Sequence, residues 1–247
     1  MKPLESVRRA APFDPSFTER APHFWPLRRA WRALGACHDF PPVAALTRVF
    51  AGEPPVRFVV ASPPRRRAAP LDPRALYDAR ITLEGVVPTR ERSWHDFMNA
   101  LVWGTFPRAK RALHARQHVA IAARIAPGAR TLPPARTREL DALALLDEGG
   151  VVLVDGQAIV FGHAIYESLA LGVAPAIVAA VAVDQIEVGA SDADRIAHAD
   201  AALAALLADE ARLTTPAELK RVDLTSTSPR TWATDAPPDE SVRPMAS

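Results

Sequence analysis

The spacing of apolar side chains predicts a chain that is mostly helical, with one clear β-hairpin. Val151–Asp155 and Ala158–Phe161 are short apolar runs on either side of an Asp155-Gly156 pair, which is typical of a tight hairpin turn. Elsewhere apolar residues recur at helical spacing between capping residues, prolines and glycines. The predicted helices are Trp25–Gly35, Val43–Phe50, Arg74–Ile81, Trp94–Phe106, Arg108–Ala126, Ala135–Asp147, His163–Leu171 and Asp194–Leu213.

The remaining segments predict one more strand and a single domain. Arg57–Ala61 is expected to be a strand, Gly85–Arg92 a connection, and Ala176–Val188 either a buried strand or a buried helix. Because strands do not alternate regularly with helices, we expect a helix-rich α+β fold with a small sheet rather than a doubly wound one. One compact domain should span residues 24–224, between an irregular segment 1–23 and a loop-like tail 225–247.

Composition narrows the class of protein. Hydrophobic residues make up 49% of the 247 residues and charged residues 23%, as in a folded globular protein rather than a disordered one. One cysteine, Cys37, cannot form an internal disulfide. The first residues contain no apolar signal-peptide core, and no apolar run reaches the roughly 20 residues of a membrane helix. These features predict a cytoplasmic protein without a membrane partner.

The charges are divided unequally along the chain. Residues 1–138 carry a formal net charge of +14, whereas residues 139–247 carry −12. Two interpretations follow: the basic half binds nucleic acid or another anionic partner, or the two halves pair with each other. We favour internal pairing. The Arg65–Arg67 loop has no obvious acidic mate and keeps the first interpretation open.

A helix with the sequence WHDFMNALVWGTF contains the first group of candidate residues. His95 and Asn99 are four positions apart and therefore share one stripe of the helix, and Asp96 is adjacent. An asparagine inside an apolar helix needs a polar partner. The segment predicts either a convergent polar site or an ordinary capped helix start with an exposed His95.

Two later segments contain further candidates. In LLDEGG, Asp147 and Glu148 end a helix, where negative charge opposes the helix dipole; a metal ion or a basic partner would explain them, and so would a solvated helix end. In FGHAIYE, His163 and Glu167 are four residues apart, so they can bind one metal ion, act as an acid/base pair, or merely hydrogen-bond each other.

Taken together, these motifs resemble an uncharacterised bacterial family, the domain of unknown function numbered 3025. The resemblance covers roughly Phe24 to the end of the chain. It rests on Val87–Arg90, the Trp94-His95-Asp96-Phe97 block with Asn99-Ala100-Leu101 and Trp103, Phe106-Pro107-Arg108 with Lys110, Asp147–Gly150, Phe161–Ala164 with Glu167, Trp232 and Val242-Arg243-Pro244. The chain departs from the family pattern at His114 and in a short stretch between Val154 and Ile159. The resemblance implies one shared polar site but no known reaction.

We therefore expect a metal-assisted hydrolase acting on a small-molecule or anionic ligand, with a divalent metal ion as cofactor. The expected metal ligands are His95, Asp147, His163 and Glu167, and the expected catalytic group is His95, Asp96, Asn99, Glu148, Arg108 and Lys110. Arg108 and Lys110 would hold the anionic group. Two alternatives remain open: a non-enzymatic binding or scaffold protein in which these residues form a structural network, and a nucleic-acid-binding protein.

Overall fold

The computed structural model describes residues 11–62, 71–155, 157–174, 179–182 and 190–224. The Arg65–Arg67 loop, Gly156 of the hairpin turn, most of the Ala176–Val188 segment and the tail that contains Trp232 lie outside the described residues.

The described part is rich in helix, as predicted. Its α-helices are α1 Arg28–Leu34, α2 Tyr77–Glu84, α3 Trp94–Thr105, α4 Pro107–Ala122, α5 Arg138–Gly149, α6 His163–Ala170 and α7 Asp192–Ala208. Short 3-10 helices occupy Phe17–Glu19, Pro22–Leu27, Val43–Val49, Pro73–Ala75 and Pro216–Glu218. Among these described helices, none has both the length and the apolar character needed to cross a membrane.

Two small sheets complete the fold and confirm the α+β class. The strands are β1 Arg57–Val60, β2 Val86–Thr89, β3 Gly150–Val154, β4 Gln157–Val160, β5 Ala179–Ala182 and β6 Lys220–Arg221. β1 and β2 form a parallel pair, and the second sheet has the order β4-β3-β5-β6. β3 and β4 are antiparallel, as the hairpin sequence predicts, whereas β3 and β5 are parallel. The described part of the Ala176–Val188 segment is therefore strand.

The prediction of a connection over Gly85–Arg92 is wrong, because Val86–Thr89 is strand β2. Pro88 lies opposite Val59 of β1, and within the described residues β2 is paired on that side only. A proline that turns its missing N–H toward an unpaired edge removes no hydrogen bond from the ladder. Proline in a short run therefore signals an edge strand as well as a loop.

Helix α3 lies in the hydrophobic core and fixes the position of the site residues that follow Trp94. Its buried residues are Trp94, Phe97, Met98, Asn99, Ala100, Leu101, Val102 and Trp103. Around its first turn, the rings of Phe13, Phe17 and Phe40 pack against Trp94 and Phe97. The Ser93 hydroxyl accepts a hydrogen bond from the Asp96 backbone N–H at 3.3 Å and caps the start of the helix. This packing fixes the position of the first turn of α3 in the fold, and with it the position of His95.

The start of helix α4 is capped by a residue of another helix. Asp200 of α7 accepts hydrogen bonds from the backbone N–H of Ala109 at 2.8 Å and of Arg108 at 3.3 Å. It is 5% exposed, and burial raises the pKa of its carboxyl against the opposing effect of these two hydrogen bonds. Asp200 thus satisfies N–H groups that α4 cannot pair internally and joins α4 to α7.

The Asp200→Ala substitution is expected to lower the free energy of unfolding by about 1–2 kcal/mol, because it removes an N-cap from buried amide groups. Asp200→Asn is the matched control, since it keeps one oxygen that can accept from Ala109. Urea unfolding monitored by circular dichroism measures both. The capping role is contradicted if the alanine variant is as stable as the asparagine variant.

Candidate metal centre

Three segments that are distant in sequence meet at one end of α5. The first turn of α3 contributes His95, the C-terminal turn of α5 contributes Asp147 and Glu148, and the first turns of α6 contribute His163 and Glu167. The two histidine rings lie 4.4 Å apart between centroids. The structure thus brings the three segments with candidate residues into one place.

Two glycines allow the LLDEGG and FGHAIYE segments to approach this closely. A Cβ atom on Gly162 would lie 2.4 Å from the Gly150 nitrogen and 2.5 Å from the Glu148 oxygen, distances that no side chain tolerates. The backbone N–H groups of Phe161 and Gly162 both donate to the Gly150 oxygen, at 2.9 and 2.8 Å. Glycine is therefore required for close approach, and this contact places His163 beside Glu148.

The two histidines face each other through their Nε2 atoms, which are 3.0 Å apart. On the other side of each ring, His95 Nδ1 lies 3.1 Å from Glu167 Oε2, and His163 Nδ1 lies 2.8 Å from the Asp147 backbone oxygen. Carboxylate and carbonyl oxygens accept hydrogen bonds, so each Nδ1 carries the proton. Each Nε2 is consequently left with a lone pair toward the other ring, and the 3.0 Å separation suits either a proton or a metal ion between the two nitrogens.

Glu148 supplies an anionic oxygen next to the two nitrogens. Its carboxylate oxygens lie 3.6 Å from His163 Nε2 and 4.0 Å from His95 Nε2. One ligand atom from each of the three residues lies within 4.8 Å of the others. The Glu148 side chain is 51% exposed, whereas that of His163 is 4% exposed. The group is thus buried at His163, partly exposed at His95 and open to solvent at Glu148.

This donor set fits a divalent transition-metal ion. Imidazole nitrogen and carboxylate oxygen are ordinary zinc ligands, and at bond lengths of about 2.0–2.1 Å two nitrogens on a tetrahedral ion lie roughly 3.3 Å apart. The observed separation of 3.0 Å requires only a small outward movement of the rings. Metal-bound histidines usually donate their other N–H to a carboxylate or a carbonyl, as both histidines do.

Local charges raise the pKa of His95. Burial by itself acts to lower this pKa, but the hydrogen bond to Glu167 and the negative charges of Glu148, Glu167 and Asp96 outweigh burial. The Nε2 face of the histidine pair therefore lies in a field that favours positive charge.

Lys110 and Asp147 form a buried ion pair behind the histidines. Lys110 is fully buried; its Nζ donates to Asp147 Oδ1 at 2.5 Å and lies 5.8 Å from the centre of the Trp103 ring. Burial acts to raise the pKa of Asp147, but the charge of Lys110 and the interaction with His163 outweigh it and hold the pKa well below its usual range. Lys110 therefore forms an ion pair inside the protein and is not exposed to solvent.

The other predicted site residues occupy different surroundings. Asp96 forms an ion pair with Arg90, with 2.7 Å between Arg90 Nη2 and Asp96 Oδ1. Asn99 donates through Nδ2 to the Tyr77 hydroxyl at 3.2 Å. Arg108 donates a hydrogen bond from its backbone N–H to Asp200. Neither Arg108 nor Lys110 lines the cavity beside the histidines.

That cavity has a volume of about 430 Å³. His95, Glu148 and His163 lie in its wall, together with Asp96, Asn99 and Asp147. Residues that the sequence does not single out for the site also line it, among them Tyr77, Asp78, His114, Gln117 and Arg136. His114 and Gln117 follow Lys110 on α4 at helical spacing, a signal that becomes useful only once the inward face of α4 is known.

His114 is a second buried histidine in the cavity wall. Its Nδ1 lies 2.8 Å from Asp78 Oδ1, its ring stacks on Trp103 with 5.5 Å between centroids, and its Nε2 has no hydrogen-bond partner among the described residues. Burial lowers the pKa of His114, the positive charge of Lys110 lowers it further, and the hydrogen bond to Asp78 only partly opposes them. His114 is therefore held in its neutral form.

The Asp147→Asn substitution is expected to lower the free energy of unfolding by about 3–5 kcal/mol, because it leaves the Lys110 ammonium buried without a counter-charge. The double variant Lys110→Met/Asp147→Asn should recover much of the loss. Asp39→Asn, which breaks the exposed pair with Arg92, is the control and should cost less than about 1 kcal/mol. Equal losses from Asp39→Asn and Asp147→Asn in urea unfolding would contradict the buried-pair assignment.

His114 is expected to make the chain less stable as pH falls. Its folded pKa lies below the unfolded value of about 6.5, so the unfolded chain binds the proton first and gains free energy relative to the folded chain as pH decreases through that range. The loss of stability between about pH 7.5 and about pH 5.5 should therefore be smaller in His114→Gln than in the wild type. His118→Gln, outside the cavity, should behave as the wild type; a His114→Gln variant with the wild-type pH dependence refutes the prediction.

Comparison with known proteins gives one match. The family model described as "Protein of unknown function (DUF3025)" matches residues 57–159. The comparisons with curated proteins and with solved structures found no match. The matched range contains His95, Asp147 and Glu148 but ends before His163 and Glu167. Over residues 57–159 the chain is therefore similar to the uncharacterised DUF3025 family, which supports over that range the resemblance that the sequence motifs predict.

Proposed function

We propose that the chain is a metal-dependent hydrolase whose divalent ion is held by His95, His163 and Glu148. The observation that carries the proposal is the pair of Nε2 lone pairs 3.0 Å apart, with both Nδ1 protons committed elsewhere and a carboxylate beside them. Asp147 and Glu167, which the sequence predicts as ligands, act in this proposal as positioning residues that orient the two rings. Glu148, predicted as a catalytic residue, takes the place of the third ligand.

Three protein ligands are typical of catalytic rather than structural zinc sites, because they leave a coordination position for water or substrate. The exposed Glu148 side chain and the adjoining cavity provide room at that position. A bound divalent ion supplies a Lewis acid and lowers the pKa of a water molecule, the chemistry of metal-assisted hydrolysis. Glu167 and the Asp147 carbonyl keep both imidazoles in the tautomer that such a reaction needs.

A structural network without metal is the second candidate. A nitrogen–nitrogen distance of 3.0 Å also suits an N–H···N hydrogen bond in which one proton sits between the two rings. In that case the histidines, Glu167 and Asp147 would fix the packing of α3, α5 and α6. The two candidates differ in what the chain binds and in what the histidines do for stability.

Zinc titration of the tag-free, chelator-treated chain tests the proposal. We expect one zinc ion per chain in the wild type, loss of tight binding in His95→Ala and His163→Ala, and a 10–100-fold weaker affinity in Glu167→Gln because the His95 ring loses its orienting carboxylate. His118→Ala is the matched control and should bind zinc as the wild type does. Zinc-loaded protein should then hydrolyse chromogenic carboxyl or phosphate esters, and Glu148→Gln should lose that activity.

The outcomes separate the candidates. If the wild type binds no stoichiometric zinc, and the two histidine variants lose several kcal/mol of unfolding free energy, the structural network is correct. If zinc binds at the three residues but none of the esters is hydrolysed faster than by zinc-loaded Glu148→Gln, the metal centre stands and the hydrolase assignment does not.

A further inference from the structure

The cavity beside the metal centre is a groove that follows helix α5. Its wall includes Arg136 just before α5, Ala144 within it, and Asp147 and Glu148 at its end. Within α5, Glu148 lies ten residues after Arg138, which at a rise of about 1.5 Å per residue corresponds to roughly 15 Å along the helix axis, and Arg136 precedes the helix. The metal centre and Arg136 therefore lie at opposite ends of the groove.

Helix α4 forms a second wall and runs antiparallel to α5. Lys110, early in α4, contacts Asp147 at the end of α5, whereas Arg116 Nε lies 2.7 Å from Glu139 Oε1 at the beginning of α5. Gln117, next to Arg116, therefore lies toward the Arg136 end of the groove. The register of the two helices thus places a guanidinium and an amide at the end remote from the histidines.

Charge pairing along the groove leaves Arg136 unmatched. The carboxylates in the wall all have contacts within the protein: Asp96 pairs with Arg90 and Asp147 with Lys110, whereas Asp78 contacts the neutral His114 and Glu148 lies beside the two histidines. Among the described residues, Arg136 has neither an ion-pair nor a hydrogen-bond partner, and Gln117 has no hydrogen-bond partner. The remote end thus offers hydrogen-bond donors and a positive charge that the protein itself does not use.

We propose that the groove binds an elongated substrate whose oxyanion group, a carboxylate or a phosphate, is held by Arg136 and Gln117 while the bond to be hydrolysed lies at the metal centre. A planar guanidinium makes two parallel hydrogen bonds to such a group, and Gln117 adds a third donor. This inference names the substrate class for the function proposed above and rests on it for the position of the reacting bond. Arg136 takes the anion-holding role that the sequence predicts for Arg108 and Lys110, whose surroundings are Asp200 and Asp147.

The test measures binding of eight-carbon probes to the full-length chain without added metal, so that its result does not depend on zinc. The probes are octanoate, octyl phosphate and the neutral octanamide, titrated by NMR against wild type, Arg136→Ala, Arg136→Lys and the control Arg138→Ala. Arg138 is exposed, two residues away, and does not line the groove.

We expect Arg136→Ala to bind the preferred anionic probe about tenfold more weakly than the wild type, the loss of one charge-assisted contact. Arg136→Lys should retain part of the affinity, because lysine keeps the charge but not the planar donor pair. Arg138→Ala should bind as the wild type, and octanamide should bind all four proteins equally. The probe that binds more tightly, octanoate or octyl phosphate, shows whether the site prefers a carboxylate or a phosphate.

The proposal is overturned if octanoate and octyl phosphate bind Arg136→Ala as tightly as they bind the wild type. It is also overturned if neither anion binds the wild type more tightly than octanamide does. A second arm adds zinc and the twelve-carbon dicarboxylate dodecanedioate, whose extended chain is comparable with the roughly 15 Å of α5 between the two ends of the groove. Tighter binding of dodecanedioate than of dodecanoate only when zinc is present supports both proposals. If that gain is absent while the Arg136 effect remains, the metal centre fails and the anion site stands.

Discussion

Asp147 is the residue on which the geometry of the candidate site depends. Its carboxylate neutralises Lys110 in the interior, and its backbone oxygen accepts the Nδ1 proton of His163. The same residue thus joins α4 to the end of α5 and sets the orientation of an imidazole on α6. Because Glu148 is the next residue, fixing Asp147 also fixes where the third candidate ligand leaves the helix. Negative charge at the C-terminus of α5 opposes the helix dipole, and the buried ammonium of Lys110 compensates for it.

The division of charge along the chain now has a structural explanation. The pairs Lys110–Asp147 and Arg116–Glu139 join the basic half to the acidic half, and both cations are buried. The pairs Arg90–Asp96 and Arg92–Asp39 stay within the basic half, and both arginines are largely exposed. Exposed pairs contribute little to stability, whereas a buried charge is costly without its partner. The internal pairing that the sequence favours is therefore found where burial makes it necessary.

Local signals in the sequence predicted most of the helices and the three polar segments, but not how these segments contact each other. Helical spacing identifies which face of α3 contains His95, yet nothing local specifies that this face meets His163. Strand β2 was missed because a proline such as Pro88 occurs both in edge strands and in loops, and the local sequence does not distinguish the two. Tyr77, His114 and Arg136 enter the cavity wall only through the packing of α2, α4 and α5, which depends on distant residues. The roles of Asp147 and Lys110 depend on burial, which the sequence does not show.

The arrangement of the two histidines leaves one position between their Nε2 atoms. With both Nδ1 protons committed, the space between the Nε2 atoms can hold a proton or a metal ion, but not both. Glu148, Glu167 and Asp96 stabilise either cation, so the negative field alone does not select between them. In the proposed metal centre, selection would come from coordination: a metal ion would gain a third bond from Glu148 and a position open to the groove, whereas a proton satisfies only the two nitrogens. If the site binds a metal ion as proposed, the ion replaces any proton between the two nitrogens, and zinc affinity is therefore expected to rise with pH.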